Sequence, residues 1–206
     1  RRLRRAVGLR AFAEAEFRDL LAKFSLNQCR IASEQALLDL MRKDLSRGFG
    51  AEVAIALFTL DEFAARGVTR LPGDCLDDLD IPCDEYAVNS ERLVVASDDI
   101  VSESLYSHLL KTNCPVTGQP DWASIAIQYR GPRIQREGLL QYLVSFRQHQ
   151  DFHEHCVETI FCDLINRCGP EELTVYARYT RRGGLDINPC RSTHPVKVES
   201  CRLSRQ

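Results

Sequence analysis

The chain has 206 residues, 44% of them hydrophobic, and its 27 basic and 29 acidic side chains nearly cancel. This composition excludes a disordered or fibrous protein, and the small net charge argues against a direct nucleic-acid partner or an anionic membrane surface. No run approaches the roughly 18 to 20 consecutive apolar residues of a membrane span, and no signal-peptide pattern is present, so we expect a cytoplasmic protein.

The nine cysteines are scattered along the chain without the close pairs that a secreted disulfide framework uses. We therefore expect most of them to be reduced, buried thiols. The chain opens with the arginine-rich residues 1–5 and has no initiator Met, which indicates a fragment, a trimmed chain or a disrupted reading frame.

In the first half, apolar residues at helical spacing predict a helix over 11–24. A second helix begins after Ser33, which can cap it, and ends at the glycines of 48–50. Alternating apolar residues over 53–57 predict a strand, and the Asp- and Pro-containing segment 73–84 indicates a long surface connection.

In the second half, an apolar stretch over 104–110 precedes a well-marked strand over 122–130. Helices are predicted over 136–148 and 151–167, followed by a last strand over 173–179. Each half runs helix, glycine break, strand. We therefore expect an α+β fold in which a duplicated module places its helices on one face of an antiparallel sheet.

The segment 113–122 contains a thiol and a carboxyl that can face one cavity. Pro115 favours an extended backbone at Cys114, and Gly118 with the following proline enforces a turn before Asp121. A thiolate attacks electron-poor carbon, and a buried, protonated carboxyl can donate a proton to the nitrogen that gains charge. The ordinary alternative is a buried structural cysteine beside an aspartate that caps the strand.

The start of the helix predicted over 151–167 offers either a metal site or a base-binding carboxylate. The candidate ligands are His149, His153, His155, Cys156 and Cys162. They lack both the zincin spacing and a paired-cysteine knuckle, so we predict no metal. Glu154 can instead accept two hydrogen bonds from the ring N–H and exocyclic amine of a guanine-like base.

Adjacent arginines and glycines over 181–184 follow the last predicted strand. Guanidinium groups bind phosphate oxygens, and glycine lets backbone N–H groups approach a ligand closely. The segment is therefore either a phosphate cradle or a solvated, charged turn. It is not the glycine pattern of a Rossmann fold.

Three runs, in this order, resemble the long, two-module form of the 7-cyano-7-deazaguanine reductase family, QueF type. They are LLKTNCPVTGQPDW, YLVSFRQHQDFHEHCVE and VYARYTRRGGLDINP. The resemblance covers about residues 33–206. It implies a tunnelling fold with two related modules, an N-terminal one over 1–97 and a catalytic one over 98–206, assembled as a homodimer.

The resemblance also implies an activity and its residues. The family reduces the nitrile of 7-cyano-7-deazaguanine with NADPH, through a cysteine thioimide, to the aminomethyl group needed for queuosine in transfer RNA. The roles fall on the catalytic Cys114 and Asp121, the substrate-binding His153 and Glu154, and the NADPH-binding Arg182 and Gly183.

Residues 15–20 do not match the family motif expected there, and the first strands of the N-terminal module are also missing. Two alternatives therefore stay open: a homologue that captures the deazapurine without reducing it, and a related enzyme acting on another purine or pterin ring. A further hypothesis pairs Cys114 with Cys156 in a protective disulfide; the alternative for Cys156 is a buried helix thiol.

Overall fold

The structure, a computed structural model, describes residues 32–198 and 202–206. The chain divides into two compact units, Arg1–Ala65 and Arg66–Gln206. The helix predicted over 11–24 and the unmatched segment 15–20 lie outside the described residues. The division into modules at residues 97 and 98 stays a prediction.

The described part of the first unit contains two helices, α1 over Glu34–Phe49 and α2 over Leu60–Ala64. Ser33 caps α1, because its hydroxyl accepts a hydrogen bond from the Ala36 N–H at 3.2 Å. Gly50 ends α1 in the left-handed conformation, with φ 64°. The predicted second helix is confirmed, although it continues through the first of the two glycines.

The predicted strand over 53–57 is wrong, because this segment pairs with no strand among the described residues. The side chains still alternate in exposure at its start, where Val53 and Ile55 are half-buried, but Leu57 is 39% exposed. A strand requires a neighbour to accept and donate its backbone hydrogen bonds, and period-two hydrophobicity alone does not supply one.

The second unit is built on a sheet of five strands within the described residues. They are β1 Asp74–Cys75, β2 Val95–Asn113, β3 Pro120–Ile134, β4 Glu172–Tyr179 and β5 Cys190–Ser192. The strands lie side by side in chain order; β1 runs parallel to β2, and every other neighbouring pair is antiparallel. The strands predicted over 122–130 and 173–179 are confirmed within β3 and β4. The short β5, which follows them, was not predicted.

Two helices cover one face of this sheet, α3 over Arg136–Ser145 and α4 over His153–Cys168. A 3₁₀ turn at Phe146–Gln148 extends α3, and another at Ser90–Arg92 precedes β2. Odd-numbered residues of β3 and β4 point into this layer and form the core with the helices. The expected α+β class, with helices on one face of a mainly antiparallel sheet, is confirmed.

The opposite face of the sheet carries a smaller apolar cluster of Leu71, Ala126 and Leu203, with Tyr106 packed against it. Leu203 belongs to the C-terminal segment 202–206, which therefore packs on the sheet face away from α3 and α4. Among the described helices, none has the length and apolar character needed to cross a membrane.

An irregularity in β2 decides which side chains share the helix-covered face near its end. Leu105 lies opposite Ile127, but the register shifts between Ser107 and Leu110, so that Thr112 lies opposite Asp121. Asp77 holds this bulge: its carboxylate accepts from the Ser107 hydroxyl at 2.6 Å and from the His108 N–H at 2.9 Å. Even-numbered residues of β2 beyond the bulge therefore face the same layer as odd-numbered residues of β3.

Candidate active site

Cys114 opens the six-residue loop that joins β2 to β3. Its N–H donates to the Gln119 carbonyl at 2.9 Å, and its carbonyl accepts from the Gly118 N–H at 2.9 Å. Gly118 has φ 69°, a conformation that glycine adopts without the steric cost of a Cβ. The loop therefore has a fixed shape. Cys114 is 6% exposed at its base, while Val116 is 77% exposed at its tip.

Asn113 ties the end of β2 to the residues that lead into α4. Its N–H donates to the His149 carbonyl at 2.8 Å, and its carbonyl accepts from the Asp151 N–H at 3.2 Å. Because His153 begins α4 two residues after Asp151, these bonds bring the start of the helix beside the end of the strand.

Asp121 lies at the start of β3 and is buried. One carboxylate oxygen lies 3.2 Å from Nε2 of His153, and the other lies 3.2 Å from Nε of Arg182. Three of the predicted site residues, taken from β3, α4 and the loop after β4, thus meet at one carboxylate.

The Cys114 thiol lies in a cradle of donors. Burial alone would raise the pKa of the thiol, but hydrogen bonds outweigh it and lower the pKa below its usual range. The donors are the Thr117 hydroxyl, the backbone N–H groups of Thr117 and Val116, and the Arg182 guanidinium. Since donors of this kind stabilise the thiolate, Cys114 has the environment of a reactive cysteine. Arg182 also connects the thiol to Asp121.

An aromatic ring from β4 fixes the plane of the His153 side chain. Its imidazole stacks on the Tyr179 ring, with centroids 3.7 Å apart and planes 5° apart. Nε2 meets Asp121, whereas Nδ1 is buried and has no hydrogen-bond partner among the described residues. Glu154, in the first turn of α4, is half-buried and likewise has no partner in the described part of the chain. The first turn of α4 therefore offers polar atoms that have no partner in the described part of the chain, and His153 places one of them next to the acid.

Cys156 lies deeper than Cys114 and has the opposite character. It is fully buried, and burial together with the charge of Asp151 raises the pKa of its thiol to about 12. Its side chain interacts with those of Thr112 and Tyr179. Both Cys114 and Cys156 are free thiols, and the proposed disulfide between them stays a prediction.

The rival metal ligands face three different carboxylates. His149 and His155 both face Asp151, at 3.8 Å and 3.0 Å, whereas His153 faces Asp121. Cys162 points toward Glu158. Within residues 32–198 and 202–206, no three His, Cys, Asp or Glu side chains are grouped as metal ligands.

The segment 181–184 forms a tight turn after β4. Arg182 and Leu185 exchange backbone hydrogen bonds of 2.8 and 3.1 Å. Between them Gly183 and Gly184 both have positive φ, 58° and 88°. The glycines are exposed, as a phosphate cradle requires. The Arg182 guanidinium, however, points inward, to Asp121 and to the Gln119 side chain at 3.2 Å.

Sequence reasoning did not single out three residues that shape this site: Thr117, Gln119 and Tyr179. The first two stand in the quoted run LLKTNCPVTGQPDW, where their closeness to Cys114 was visible but their direction was not. Tyr179 continues the apolar alternation of β4, which identified it only as a core residue. Its position beneath His153 depends on packing between a strand and a helix.

Comparison with known proteins supports the resemblance seen in the sequence. A family profile described as QueF-like protein matches residues 120–197. The NADPH-dependent 7-cyano-7-deazaguanine reductase of Chromohalobacter salexigens is 53% identical over 183 residues, which cover 88% of this chain and 65% of that protein. The protein of the same name from Chromobacterium violaceum is 52% identical over 183 residues, covering 88% of this chain and 66% of that protein.

The chain thus spans about two thirds of the length of these curated relatives. Among solved structures, the archaeosine synthase QueF-Like in its apo form aligns with a TM-score of 0.41 and 16% identity, over 48% of this chain and 96% of that one. The chain is therefore similar in sequence to NADPH-dependent 7-cyano-7-deazaguanine reductases, and its residues 120–197 match the profile of QueF-like proteins.

Proposed function

We propose that this chain reduces the nitrile of 7-cyano-7-deazaguanine to an aminomethyl group with NADPH, a step in making queuosine for transfer RNA. The names and identity of its relatives support the substrate and the cofactor. The observation that carries the chemistry is the Arg182 guanidinium, which contacts both the Cys114 sulfur and the Asp121 carboxylate. Nucleophile and proton donor then belong to one site.

In the first step the Cys114 sulfur attacks the nitrile carbon. A carbon–sulfur bond forms and one of the two π bonds of the nitrile breaks. The proton that leaves the Cys114 thiol reaches the nitrogen through Asp121, whose carboxylate accepts it and then donates it. The product is a covalent thioimide. The thiolate reacts in this step, so the hydrogen bonds that lower the pKa of Cys114 favour it at neutral pH.

The deazapurine ring is bound by His153 and Glu154 in this proposal. Glu154 accepts from the ring N–H and the exocyclic amine, for which its half-buried carboxylate is suited. His153 contributes Nδ1, a buried polar atom that has no partner among the described residues. Stacking on Tyr179 fixes the plane of the imidazole, so the ring need not be ordered when the substrate binds.

NADPH is held in part by the turn of Arg182 and Gly183. The exposed glycines, with positive φ, allow a phosphate to approach the backbone closely, and the Arg182 guanidinium, which points inward to Asp121, adds positive charge to the site. The cofactor provides the hydrides of the reaction. In total the nitrile gains two hydrides and two protons, and the carbon–sulfur bond breaks after the first reduction to return the Cys114 thiolate.

The variant Asp121→Asn tests the proton-donor role. It keeps the shape of the side chain but has no acidic proton, so we expect thioimide formation to slow by about 10²- to 10⁴-fold. The measurement is the rate at which intact protein gains the mass of one nitrile molecule. Alkylation of Cys114 by iodoacetamide requires no proton donor and serves as the control, which should continue in the variant. Unchanged nitrile capture in Asp121→Asn would remove Asp121 from the chemistry.

The assembly and the cellular address are part of the same proposal. We propose a cytoplasmic homodimer, as the resemblance to the two-module reductases implies. Light scattering on the purified chain should return twice the mass of one chain. A single-chain mass at working concentration would contradict the dimer.

A further inference from the structure

The loop between β4 and β5 carries Arg182 into the active site, although the loop itself belongs to no helix or strand. Its tip is closed by the mutual backbone bonds of Arg182 and Leu185. At its base, the Asn188 side-chain oxygen accepts from the Tyr179 N–H at 3.1 Å. These bonds shape the two ends of the loop, and the second one attaches its base to the end of β4.

A further connection comes from Gln206 in the C-terminal segment. Its Nε2 lies 3.0 Å from the Tyr179 carbonyl, 3.1 Å from the Asp186 carboxylate and 2.9 Å from Oδ1 of Asn188. One amide thus reaches the end of β4 and two residues in the second half of the loop, at the point where the loop turns back toward β5.

Arg178 fixes the orientation of the Gln206 amide by binding its oxygen. Oε1 accepts from Nε and Nη2 of Arg178, at 2.9 and 2.7 Å. Arg178 only donates hydrogen bonds, so the oxygen must face it and the NH₂ group must face the loop. Gln206 is 7% exposed and Arg178 4% exposed, so these bonds form away from water, where a mismatched polar group is costly.

We propose that Gln206 is a positioning residue. Its hydrogen bonds to Asp186 and Asn188 hold the loop in the conformation in which the Arg182 guanidinium reaches Cys114 and Asp121. The inference rests on the proposed function for its catalytic meaning. Its physical content is the placement of Arg182 against a thiol, which can be measured without the nitrile or NADPH.

The decisive variant is Gln206→Glu. It keeps an oxygen for Arg178 but loses both N–H donors and sets a carboxylate against Asp186. Arg182 then loosens, the pKa of Cys114 rises, and the pH profile of iodoacetamide alkylation at Cys114 moves to higher pH. At neutral pH the rate falls by up to about tenfold for each unit of the rise. The readout is site-resolved mass spectrometry of the full chain.

Two further variants keep the test sharp. Asn188→Ala removes a loop acceptor while leaving Gln206 paired with Arg178, so it should shift the profile in the same direction even if Gln206→Glu fails to fold. Arg205→Ala is the matched control: it lies in the same segment, but its guanidinium contacts the His108 carbonyl and Trp122, not the loop. It should alkylate like the wild type.

Restoration offers a third check. Adding Asp186→Asn to Gln206→Glu replaces the repelling carboxylate with an amide donor, and should return the profile toward that of the wild type. The positioning role of Gln206 is overturned if Gln206→Glu and Asn188→Ala both fold and both keep the wild-type pH profile of Cys114 alkylation. A wild-type chain that shows the expected alkylation behaviour but never captures the nitrile would instead count against the proposed function alone.

Discussion

Two buried thiols near the same carboxylate have opposite environments. Cys114 accepts hydrogen bonds from Thr117, Val116 and Arg182, which lower its pKa despite burial. Cys156 is fully buried, and burial together with the charge of Asp151 raises the pKa of its thiol to about 12. The thiolate is therefore more favoured at Cys114 than at Cys156. Donors, more than exposure, therefore decide which cysteine reacts.

Thr117→Val tests this at the level of one hydroxyl. The change removes a donor to the Cys114 sulfur, so the pKa of the thiol rises and less thiolate is present at any given pH. We expect the pH midpoint of Cys114 alkylation to move to higher pH, as measured by iodoacetamide labelling across a pH series.

Thr117→Ser keeps the hydroxyl and is the matched control, expected to label like the wild type. Cys156 is an internal reference, because a thiol with a pKa of about 12 should stay unlabelled throughout the neutral range. A valine variant with the wild-type midpoint would show that the hydroxyl does not act on the sulfur.

At this scale the sequence identified residue types but not directions. The thiol and the acid were predictable, because a short turn separates them. The resemblance to the reductase family assigned Arg182 to NADPH, and that role stays a prediction. The direction of its guanidinium, which faces Asp121 and Gln119, was not visible in the sequence. Side-chain direction across 61 positions of sequence (182 minus 121) is set by loop geometry, which no local pattern encodes.

Among the elements, the bulge in β2 has the largest effect on the site. It changes which residues face α3 and α4, so that Thr112 and Asp121 become neighbours on the helix-covered side. An unbroken strand would turn the residues leading to Cys114 toward the other face. The bulge is held from outside the strand by Asp77, whose carboxylate accepts from Ser107 and His108.

Asp77→Ala should therefore destabilise the second unit. The variant leaves the Ser107 hydroxyl, which is buried, and the His108 N–H without their acceptor, and we expect a loss of about 1–3 kcal/mol in the free energy of unfolding. Urea denaturation followed by circular dichroism gives this value. Asp78→Ala, at the exposed neighbouring position, is the control. If both variants lose equally little, Asp77 does not hold the bulge.

Elements with strong periodicity were predictable and others were not. The amphipathic segments that became α3 and α4, and the alternation in β3 and β4, carried enough signal to fix their type. The segment 53–57 has the same alternation but pairs with no strand within residues 32–198 and 202–206. The three residues of β5 are too few for a periodic signal, and they pair only because β4 presents an edge.

In the second unit as a whole, several strands and one helix begin or finish at the same end of the sheet. The end of β2 supplies Cys114, the start of β3 supplies Asp121, and the start of α4 supplies His153. The end of β4 supplies Tyr179, on which His153 stacks. This convergence follows from antiparallel topology with helices on one face, because the hairpin between two strands and the start of a helix can then lie at the same end of the sheet. The class of fold was predictable; the convergence required the register.

Intact-mass spectrometry of the purified chain with 7-cyano-7-deazaguanine, before and after NADPH is added, tests the central claim most directly. We expect one added nitrile mass on the wild-type chain, mapped by peptide analysis to Cys114 and absent in Cys114→Ala, and its loss when NADPH is supplied. An unmodified wild-type chain, or an adduct that persists in Cys114→Ala, would contradict the assignment of Cys114 as the nucleophile.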